Sequence, residues 1–396
     1  MRIGNTIYLD HQATTPLDRR VLGVMTLYVE GNFANPHSAD HALGWQAAQV
    51  ADESAAKIAA LIGADADEIV FTSGATESNN LAVLGLGRRE AGGKRRRILV
   101  SAIEHKCVLA ATRALGAQCG YRIELLPVDC VGRVDSAALE ETLDEDVLLV
   151  SVAAVNNEIG TIQDIRNIAA AVHKYGAYFH CDAAQAPCAI DLEDASSFCD
   201  FLSLSAHKMY GPKGIGALFI RRALQGQIEP LIYGGGQQRG LRPGTVPVPL
   251  CVGMSAAAEL LSGDAAREER ELIRSRRDKF ACALKKLRFP VELNGPKGAL
   301  RHPGNVSVRF FGFSAHDILG AIQPRIAAST GSACSSGIPE PSHVLRAIGL
   351  SAEEAESSVR FSIGRGTTNA DVDEAVDMID GTLSRLAADG RLAETA

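Results

Sequence analysis

The sequence predicts an α/β fold with a mainly parallel sheet that is covered by helices on both sides. Short apolar segments alternate with helical segments from about residue 66 to residue 255, which is the pattern of repeated strand–helix–strand units. Polar or glycine-rich loops follow the apolar segments, and ligands of such sheets collect at these strand ends. Because the chain has 396 residues, of which 46% are hydrophobic, it can bury a large core and is long enough for two or three domains.

Two domains are expected from the order of these elements. The larger domain covers residues 15–255, and a smaller α+β domain combines residues 1–14 with residues 256–396. One long helix over residues 256–287 leads into the smaller domain, and a helix over residues 371–386 closes it.

Composition and charge argue against several functions. The net charge is −7, from 40 Lys and Arg against 47 Asp and Glu, so we expect no general attraction to nucleic acid. The longest apolar run, near residues 147–155, is too short for a membrane span, which needs about 18 residues or more. Nine scattered cysteines without metal-type spacing, and a start without an export signal, predict a cytoplasmic protein with neither a disulfide framework nor a resident metal.

Lys208 is the first candidate site residue. It lies in residues 205–214, SAHKMYGPKG, where a Gly/Pro turn follows at once and holds its amine at a strand end. A lysine in this position can form a Schiff base with an aldehyde cofactor, of which pyridoxal phosphate (PLP) is the common one. The alternative is a solvated loop lysine, and the choice depends on suitable partners elsewhere.

Asp182 and Gln185 follow the apolar segment at residues 177–179. PLP needs an acidic partner for its pyridine nitrogen, because the protonated ring is the stronger electron sink. Asp182 could supply it, although an aspartate at a strand end is also a common helix N-cap. Gln185 could donate a hydrogen bond to the ring oxygen of the cofactor.

A turn at residues 72–80, TSGATESNN, joins a predicted strand to a predicted helix. Its small residues expose backbone N–H groups at a helix N-terminus, which suits a phosphate. The alternative is an ordinary Ser/Thr-capped helix.

Two further polar loops follow apolar strands. Asn157 comes after the strand at 147–152, and His105 comes after the strand at 98–100. Asn157 either positions a ligand or closes a polar turn. His105 could stack on a planar ring and move protons near neutral pH, or be structural.

Taken together, these motifs resemble those of PLP-dependent cysteine desulfurases of the NifS/IscS type, in the class V aminotransferase superfamily. The resemblance covers nearly the whole chain and implies PLP fold type I, with a large domain built on a mainly parallel seven-stranded sheet and a smaller α+β domain. Further matching motifs are YLD at 8–10, ATTP at 13–16, NP at 35–36, GGGQ at 234–237, RG at 239–240, Arg242, GT at 244–245, GSAC at 331–334 and RFS at 360–362.

The resemblance implies roles for the loop residues around the ring of the cofactor. Lys208 would bond the cofactor and remove the Cα proton of the substrate. Asp182 would pair with the pyridine nitrogen, Gln185 and Asn157 would contact the ring oxygen or the substrate, and His105 would stack on the ring and move protons.

The resemblance also implies a phosphate site. Ala75, Thr76, Ser205 and His207 would hold the phosphate of the same subunit. Thr245 would reach the cofactor phosphate of a second copy, so a homodimer is expected.

Cys334 and Arg360 complete the implied site. Arg360 would clamp the substrate carboxylate with its planar guanidinium. Cys334 lies in a small, polar, glycine-rich segment at 328–337, which is typical of a loop. Its thiolate would attack the sulfur of L-cysteine, leaving L-alanine and a persulfide that passes to an acceptor protein. The one metal contact that the resemblance allows is at Cys334, which could bind a transient metal cluster shared with that acceptor.

Some features depart from the family pattern or leave alternatives open. Gln238 stands where an acidic or other polar residue is frequent, Pro243 where serine is usual, and the end of the chain lacks the longer tail that housekeeping members use to dock their scaffold. The acceptor could therefore serve iron–sulfur cluster assembly or thio-modification of tRNA or DNA. The alternatives are a selenocysteine lyase, an aminotransferase or a kynureninase of the same fold, and a sulfur carrier that lost the reaction.

Overall fold

A computed structural model of the chain describes residues 1–331 and 341–390. Its strands are β1 (Arg2–Ile3), β2 (Thr6–Tyr8), β3 (Ile69–Thr72), β4 (Arg97–Ser101), β5 (Arg122–Leu126), β6 (Val147–Ser151), β7 (Tyr178–Asp182), β8 (Phe201–Ser205), β9 (Gly216–Ile220), β10 (Val291–Leu293), β11 (Asn305–Phe310), β12 (Ile326–Ala327) and β13 (Ser358–Ser362). Its α-helices are α1 (Arg19–Glu30), α2 (Ala42–Ile62), α3 (Ala75–Arg89), α4 (Lys106–Cys119), α5 (Ser136–Thr142), α6 (Ile165–Lys174), α7 (Val248–Glu259), α8 (Gly263–Leu284), α9 (Ala315–Ile322), α10 (His343–Ala347), α11 (Ala352–Glu356) and α12 (Asn369–Ala388).

The largest sheet has seven strands in the order β3-β9-β8-β7-β6-β4-β5. Only β9 runs against the others, so the predicted mainly parallel seven-stranded sheet is confirmed. Most of its strands are buried along their whole length, because helices cover both faces. The edge strand β5 is an exception, with only its last residue fully buried.

The helices between the strands of the larger sheet have an apolar face that packs on that sheet, and α6 is an example. In α6, Ile165, Ile168, Ala169 and Val172 are buried, a spacing that puts all four on one helical face. Asp164 begins this helix by accepting a hydrogen bond from the backbone N–H of Asn167. An apolar face of this kind packs on the sheet, and the strand ends remain open for polar loops.

The C-terminal part of the chain forms a second, antiparallel sheet in the order β10-β11-β13. Helices α8, α9 and α12 contribute to its core, in which the rings of Phe280 and Phe361 meet edge to face at 5.3 Å. A third small sheet pairs β2 with β12 in parallel, and this pairing brings the N-terminal segment to the same core. The boundaries of the two expected domains stay predictions.

The single long helix expected over residues 256–287 is wrong. Helix α7 ends at Glu259, and α8 begins at Gly263. Gly263 has φ +74°, a left-handed conformation that glycine adopts without strain. Ser262 precedes it with extended backbone, so the break follows from a Ser-Gly pair that apolar periodicity does not reveal.

No α-helix in the described part of the chain is both long and apolar enough to cross a membrane.

Candidate active site

A cavity of about 930 Å³ lies where β3, β4, β6, β7 and β8 end. Ten of the side chains expected at the site line it, namely Ala75, Thr76, His105, Asn157, Asp182, Gln185, Ser205, His207, Lys208 and Arg360. Parallel strands point their carboxyl ends to the same edge of a sheet, and this geometry gathers loops that are far apart in the chain. Thr245 is exposed and lies outside the cavity lining. Cys334 lies outside the described residues.

Lys208 follows β8 and extends its amine into the cavity. Its Nζ donates hydrogen bonds to the backbone oxygens of Gln12, at 2.5 Å, and Ala13, at 2.9 Å. Burial, assisted by the charge of Arg360, lowers the pKa of Lys208 to about 8. A lysine with an ordinary pKa is almost wholly protonated at neutral pH, whereas this amine has a substantial nucleophilic fraction.

Asp182 is the last residue of β7, and its carboxylate is held from two sides. Oδ2 accepts a hydrogen bond from Nδ2 of Asn79 at 2.7 Å, and Oδ1 accepts one from the backbone N–H of Ala184 at 2.9 Å. The residues that follow form turns and not a helix, so the N-cap interpretation of Asp182 is wrong. The carboxylate is fixed in a buried position that faces the cavity.

His105 is the N-cap of α4 and opens onto the cavity. Its Nδ1 accepts a hydrogen bond from the backbone N–H of Cys107 at 3.2 Å. Since an atom that accepts from an N–H group carries no proton itself, the neutral ring has its hydrogen on Nε2. The ring is exposed on its cavity side, and partial desolvation by the surrounding protein lowers the pKa of His105, which favours this neutral form.

The turn between β3 and α3 presents backbone N–H groups to the cavity. Gly74 is the N-cap of α3 and offers no side-chain cap, so the expected alternative of a Ser/Thr-capped helix is wrong. The hydroxyls of Thr72 and Ser78 instead pair with each other at 2.7 Å. The uncapped first turn keeps its N–H groups and its positive dipole end for an anion.

Close packing at this turn depends on Gly216 of β9. A Cβ there would come within 2.7 Å of the Gly74 backbone and 2.6 Å of the Leu204 carbonyl oxygen. A side chain would therefore push the helix N-terminus away from the sheet.

Ser205 and His207 line the same cavity. Burial, followed by the charges of Lys208 and Lys213, lowers the pKa of His207 to about 4. Its neutral ring contacts the hydroxyl of Thr14, with Nδ1 3.1 Å from Oγ1.

Arg360, on β13, reaches the cavity from the second sheet. Its Nη1 donates to the backbone oxygen of Asn157 at 2.8 Å, and its Nη2 donates to Oδ1 of Asp10 at 2.7 Å and to Oγ of Ser329 at 2.8 Å. Its buried Nε has no partner among the described residues. The carboxylate of Asp10 is therefore a counter-ion that holds the guanidinium at the cavity wall, and it was not predicted from the sequence.

Gln185 and Gln12 meet deep in the cavity. The Nε2 of Gln185 donates to the backbone oxygen of Gln12 at 2.9 Å. The side chain of Gln12 accepts from Nδ2 of Asn305 at 2.6 Å, while its own Nε2 is buried without a partner in the described structure. One amide hydrogen of Gln185 therefore remains for a ligand.

Several cavity residues were not predicted from the sequence: Asp10, Gln12, Asn79, Glu104 and Cys107. Asp10 and Asn79 lie within the motifs at 8–10 and 72–80, but a sequence pattern does not show which member of a motif points inward. Glu104 is fully buried, which raises its pKa well above the usual value, and it accepts a hydrogen bond from the backbone N–H of Ala153 at 2.6 Å. Its position directly before His105 was the signal that could have identified it.

Comparison with known proteins identifies the family of the chain. The sequence model of the family described as aminotransferase class-V matches residues 7–375. The cysteine desulfurase IscS of Rickettsia felis is 44% identical over 380 residues, which span 96% of this chain and 92% of that protein.

Solved structures are similar over the same extent. A NifS-like protein has a TM-score of 0.88 and 33% identity, with 96% of this chain and 100% of that chain covered. A structure described as SspA in complex with cysteine has a TM-score of 0.78 and 36% identity, with 92% and 100% covered. The chain belongs to the aminotransferase class-V family of PLP-dependent enzymes, among the cysteine desulfurases of the NifS/IscS type.

Proposed function

We propose that this protein converts L-cysteine to L-alanine with PLP as its cofactor and passes the sulfur, through a persulfide on Cys334, to an acceptor protein. One observation carries the proposal: the amine of Lys208, the carboxylate of Asp182 and an uncapped helix N-terminus share one cavity. They do so in a chain 44% identical to a cysteine desulfurase.

The cavity residues fit PLP. The cofactor has an aldehyde, a basic ring nitrogen and a phosphate, and the cavity offers an amine, a carboxylate and free backbone N–H groups to match. Two buried polar atoms without partners in the described structure, Nε2 of Gln12 and Oδ1 of Asn79, indicate a ligand that completes the cavity. Lys208, Asp182 and Thr76 would be its main contacts. When bound, PLP supplies an electron sink for charge that develops at the substrate Cα.

The protein's own groups prepare the substrate. Arg360 binds the carboxylate of L-cysteine through a guanidinium that Asp10 already orients. Lys208, with its pKa lowered to about 8, accepts the Cα proton in its neutral form. His105 directs its Nε2–H group into the cavity as a proton donor.

The sulfur step belongs to Cys334. Its thiolate attacks the substrate sulfur, a new S–S bond forms, and the C–S bond breaks with its electron pair left on carbon. Protonation of that carbon yields alanine, so that L-cysteine and a thiol become L-alanine and a persulfide.

Replacement of Cys334 tests this function. Cys334→Ser should abolish both sulfide and alanine formation from L-cysteine while the visible absorption of bound PLP stays intact. Lys208→Ala is the matched control, since it should lose the absorption band as well.

Sulfide release at the wild-type rate by Cys334→Ser would refute the role of this thiol, and colourless wild-type protein after PLP incubation would favour a sulfur carrier. Activity on L-selenocysteine alone would favour a selenocysteine lyase.

The proposal includes a homodimer. Large apolar side chains of α1, α2 and the segment between them are exposed, with Phe33 76%, Leu43 63% and Trp45 60% accessible. A patch of this kind on a single chain suits contact with a second copy. Thr245, exposed and outside its own cavity, would then reach the partner's cofactor. Sedimentation should show a dimer for wild type and weaker association for Phe33→Glu. A fully active wild-type monomer would refute the proposed homodimer.

The acceptor is proposed as a protein of iron–sulfur assembly or of tRNA or DNA thio-modification. Capture of partners by the persulfide form would identify it. We place the reaction in a reducing cytoplasm, in keeping with the free thiols of the eight cysteines in the described part of the chain.

A further inference from the structure

Cys107, in the first turn of α4, lies at a junction of two cavity side chains. Its Sγ is 3.0 Å from Nδ1 of His105 and 3.3 Å from Nδ2 of Asn79. His105 is the residue expected to stack on the cofactor ring, and Asn79 binds the carboxylate of Asp182, which is expected to face the ring nitrogen.

The direction of the Cys107–His105 hydrogen bond follows from the backbone. Nδ1 of His105 already accepts from the N–H group of Cys107 at 3.2 Å, so this nitrogen carries no hydrogen. A hydrogen bond across the 3.0 Å between Sγ and Nδ1 therefore needs the thiol as donor, and the single lone pair of Nδ1 is shared between the two donors. Burial, assisted by the charge of Asp182, raises the pKa of Cys107 to about 11, so the proton needed for this bond is present at neutral pH.

Asn79 extends the junction to Asp182. Its Nδ2 has two hydrogens, of which one faces Oδ2 of Asp182 at 2.7 Å and the other faces Sγ of Cys107 at 3.3 Å. A flipped amide would set oxygen against a carboxylate, so this orientation is the favourable one. Asn79 is fully buried, and its Oδ1 has no partner among the described residues. The amide is therefore held by its two donor contacts.

We propose that Cys107 is a positioning residue, whose thiol holds His105 in the Nε2–H form and joins this ring through Asn79 to the carboxylate of Asp182. The inference rests on the proposed function for what His105 and Asp182 do, but the hydrogen bonds do not depend on it. A protonated Cys107 is also a poor nucleophile and would not relay sulfur.

Loss of the thiol should change the titration of His105. Protonation of Nδ1 must break the bonds from both the backbone and the thiol of Cys107, so both donors favour the neutral ring. The largest charge effects on this ring come from Asp182, Lys208, His343 and Lys106, and these residues are the same in every variant of Cys107. A change in the pKa of His105 would therefore report the thiol.

The test uses NMR of ring-¹⁵N-labelled histidine in the purified holoenzyme and in protein freed of cofactor. Four variants are compared with wild type: Cys107→Ala, Cys107→Val, Cys107→Ser and, as a control, Cys130→Ala at an exposed cysteine. His105→Asn identifies the signal. Wild type should show bare Nδ1 and protonated Nε2. In Cys107→Ala and Cys107→Val the pKa of His105 should rise by about half to one pH unit, as expected when one neutral hydrogen bond is lost.

Serine can donate to Nδ1 and accept from Asn79, so Cys107→Ser should restore the wild-type titration, and Cys130→Ala should not change it. We also expect a fall of about 3- to 10-fold in kcat for Cys107→Ala, the range for loss of one neutral hydrogen bond, with unchanged KM. The melting temperature should fall, because the buried amide of Asn79 loses one of its two acceptors. A wild-type signal with protonated Nδ1, or equal pKa values in wild type and Cys107→Ala, would overturn the inference. If the protein has no desulfurase activity at all, the proposed function fails while the NMR result still decides the role of Cys107.

Discussion

The guanidinium of Arg360 donates to the carboxylate of Asp10 across 2.7 Å, although the two residues are 350 positions apart. Parallel pairing of β2 with β12 and a bridge between Asp10 and Ser362 place the N-terminal segment beside β13. The charge expected to bind a substrate carboxylate therefore has an internal counter-ion. A ligand must compete with or share this pair, so affinity for the substrate depends on both residues.

Replacement of Arg360 should weaken substrate binding more than turnover. Hydrogen bonds to charged groups contribute about 1.5–3 kcal/mol, so Arg360→Lys should lower kcat/KM for L-cysteine by about 10- to 150-fold, mainly through KM. Lysine keeps the charge but loses the fork that contacts Asp10 and Ser329 together. Steady-state kinetics check this, with Arg346→Lys on α10 as an exposed control. An unchanged KM in Arg360→Lys would contradict the carboxylate role.

Uptake of PLP by cofactor-free protein should depend on pH through Lys208. The amine is nucleophilic when neutral, and its pKa is about 8. The rate should therefore rise as the pH increases toward 8 and level off above it. Stopped-flow absorbance measures this rate, and a midpoint near 10 would show that burial does not depress the pKa.

Two neighbours of Lys208 provide opposite tests of the same titration. The charge of Asp10 raises the pKa of Lys208, and that of Arg360 lowers it. Asp10→Asn should therefore move the midpoint to lower pH, and Arg360→Leu should move it to higher pH. Shifts in the same direction would exclude a charge effect and indicate a general change in the cavity.

Asp182→Asn should reduce turnover without unfolding the protein. The amide keeps the shape of the carboxylate but loses the charge that would stabilise a protonated ring nitrogen. Given about 1.5–3 kcal/mol for a hydrogen bond to a charged group, kcat/KM should fall by about 10- to 150-fold. Kinetics and the visible spectrum of bound cofactor measure the effect, and wild-type kinetics in this variant would exclude the proposed role.

Gln238 should stabilise the edge of the larger sheet. Its Oε1 accepts from the backbone N–H of Phe71 at 2.6 Å, and its Nε2 donates to the Phe71 oxygen at 2.9 Å, so one side chain imitates a neighbouring strand. Gln238→Ala leaves both groups of Phe71 without this partner and should lower the free energy of unfolding by about 1–3 kcal/mol. Urea denaturation followed by circular dichroism measures this. Gln238→Glu keeps the acceptor but not the donor, so its free energy of unfolding should lie between those of wild type and Gln238→Ala. An alanine variant more stable than wild type would contradict the assignment.

Prediction from sequence succeeded where the fold itself imposes order. Lys208, Asp182 and His105 each lie at or just after the end of an apolar strand. Parallel strands present these ends at one edge of the sheet, so local sequence pattern was enough to predict that the three residues share one cavity. Glycine-rich and polar turns in the sequence also marked these strand ends as the place of the site. The break between α7 and α8 was missed because a Ser-Gly pair interrupts an otherwise helical composition.

The sequence by itself determined the alternation of strands and helices, the class of the sheet and most of the side chains at its edge, because these depend on local periodicity and turn chemistry. Only the tertiary structure decided three contacts. Asp10 pairs with Arg360, the backbone oxygen of Gln12 accepts a hydrogen bond from the amine of Lys208, and the thiol of Cys107 contacts both His105 and Asn79. Those contacts link segments brought together by packing of separate sheets and helices, and no spacing along the chain encodes the direction in which a side chain points.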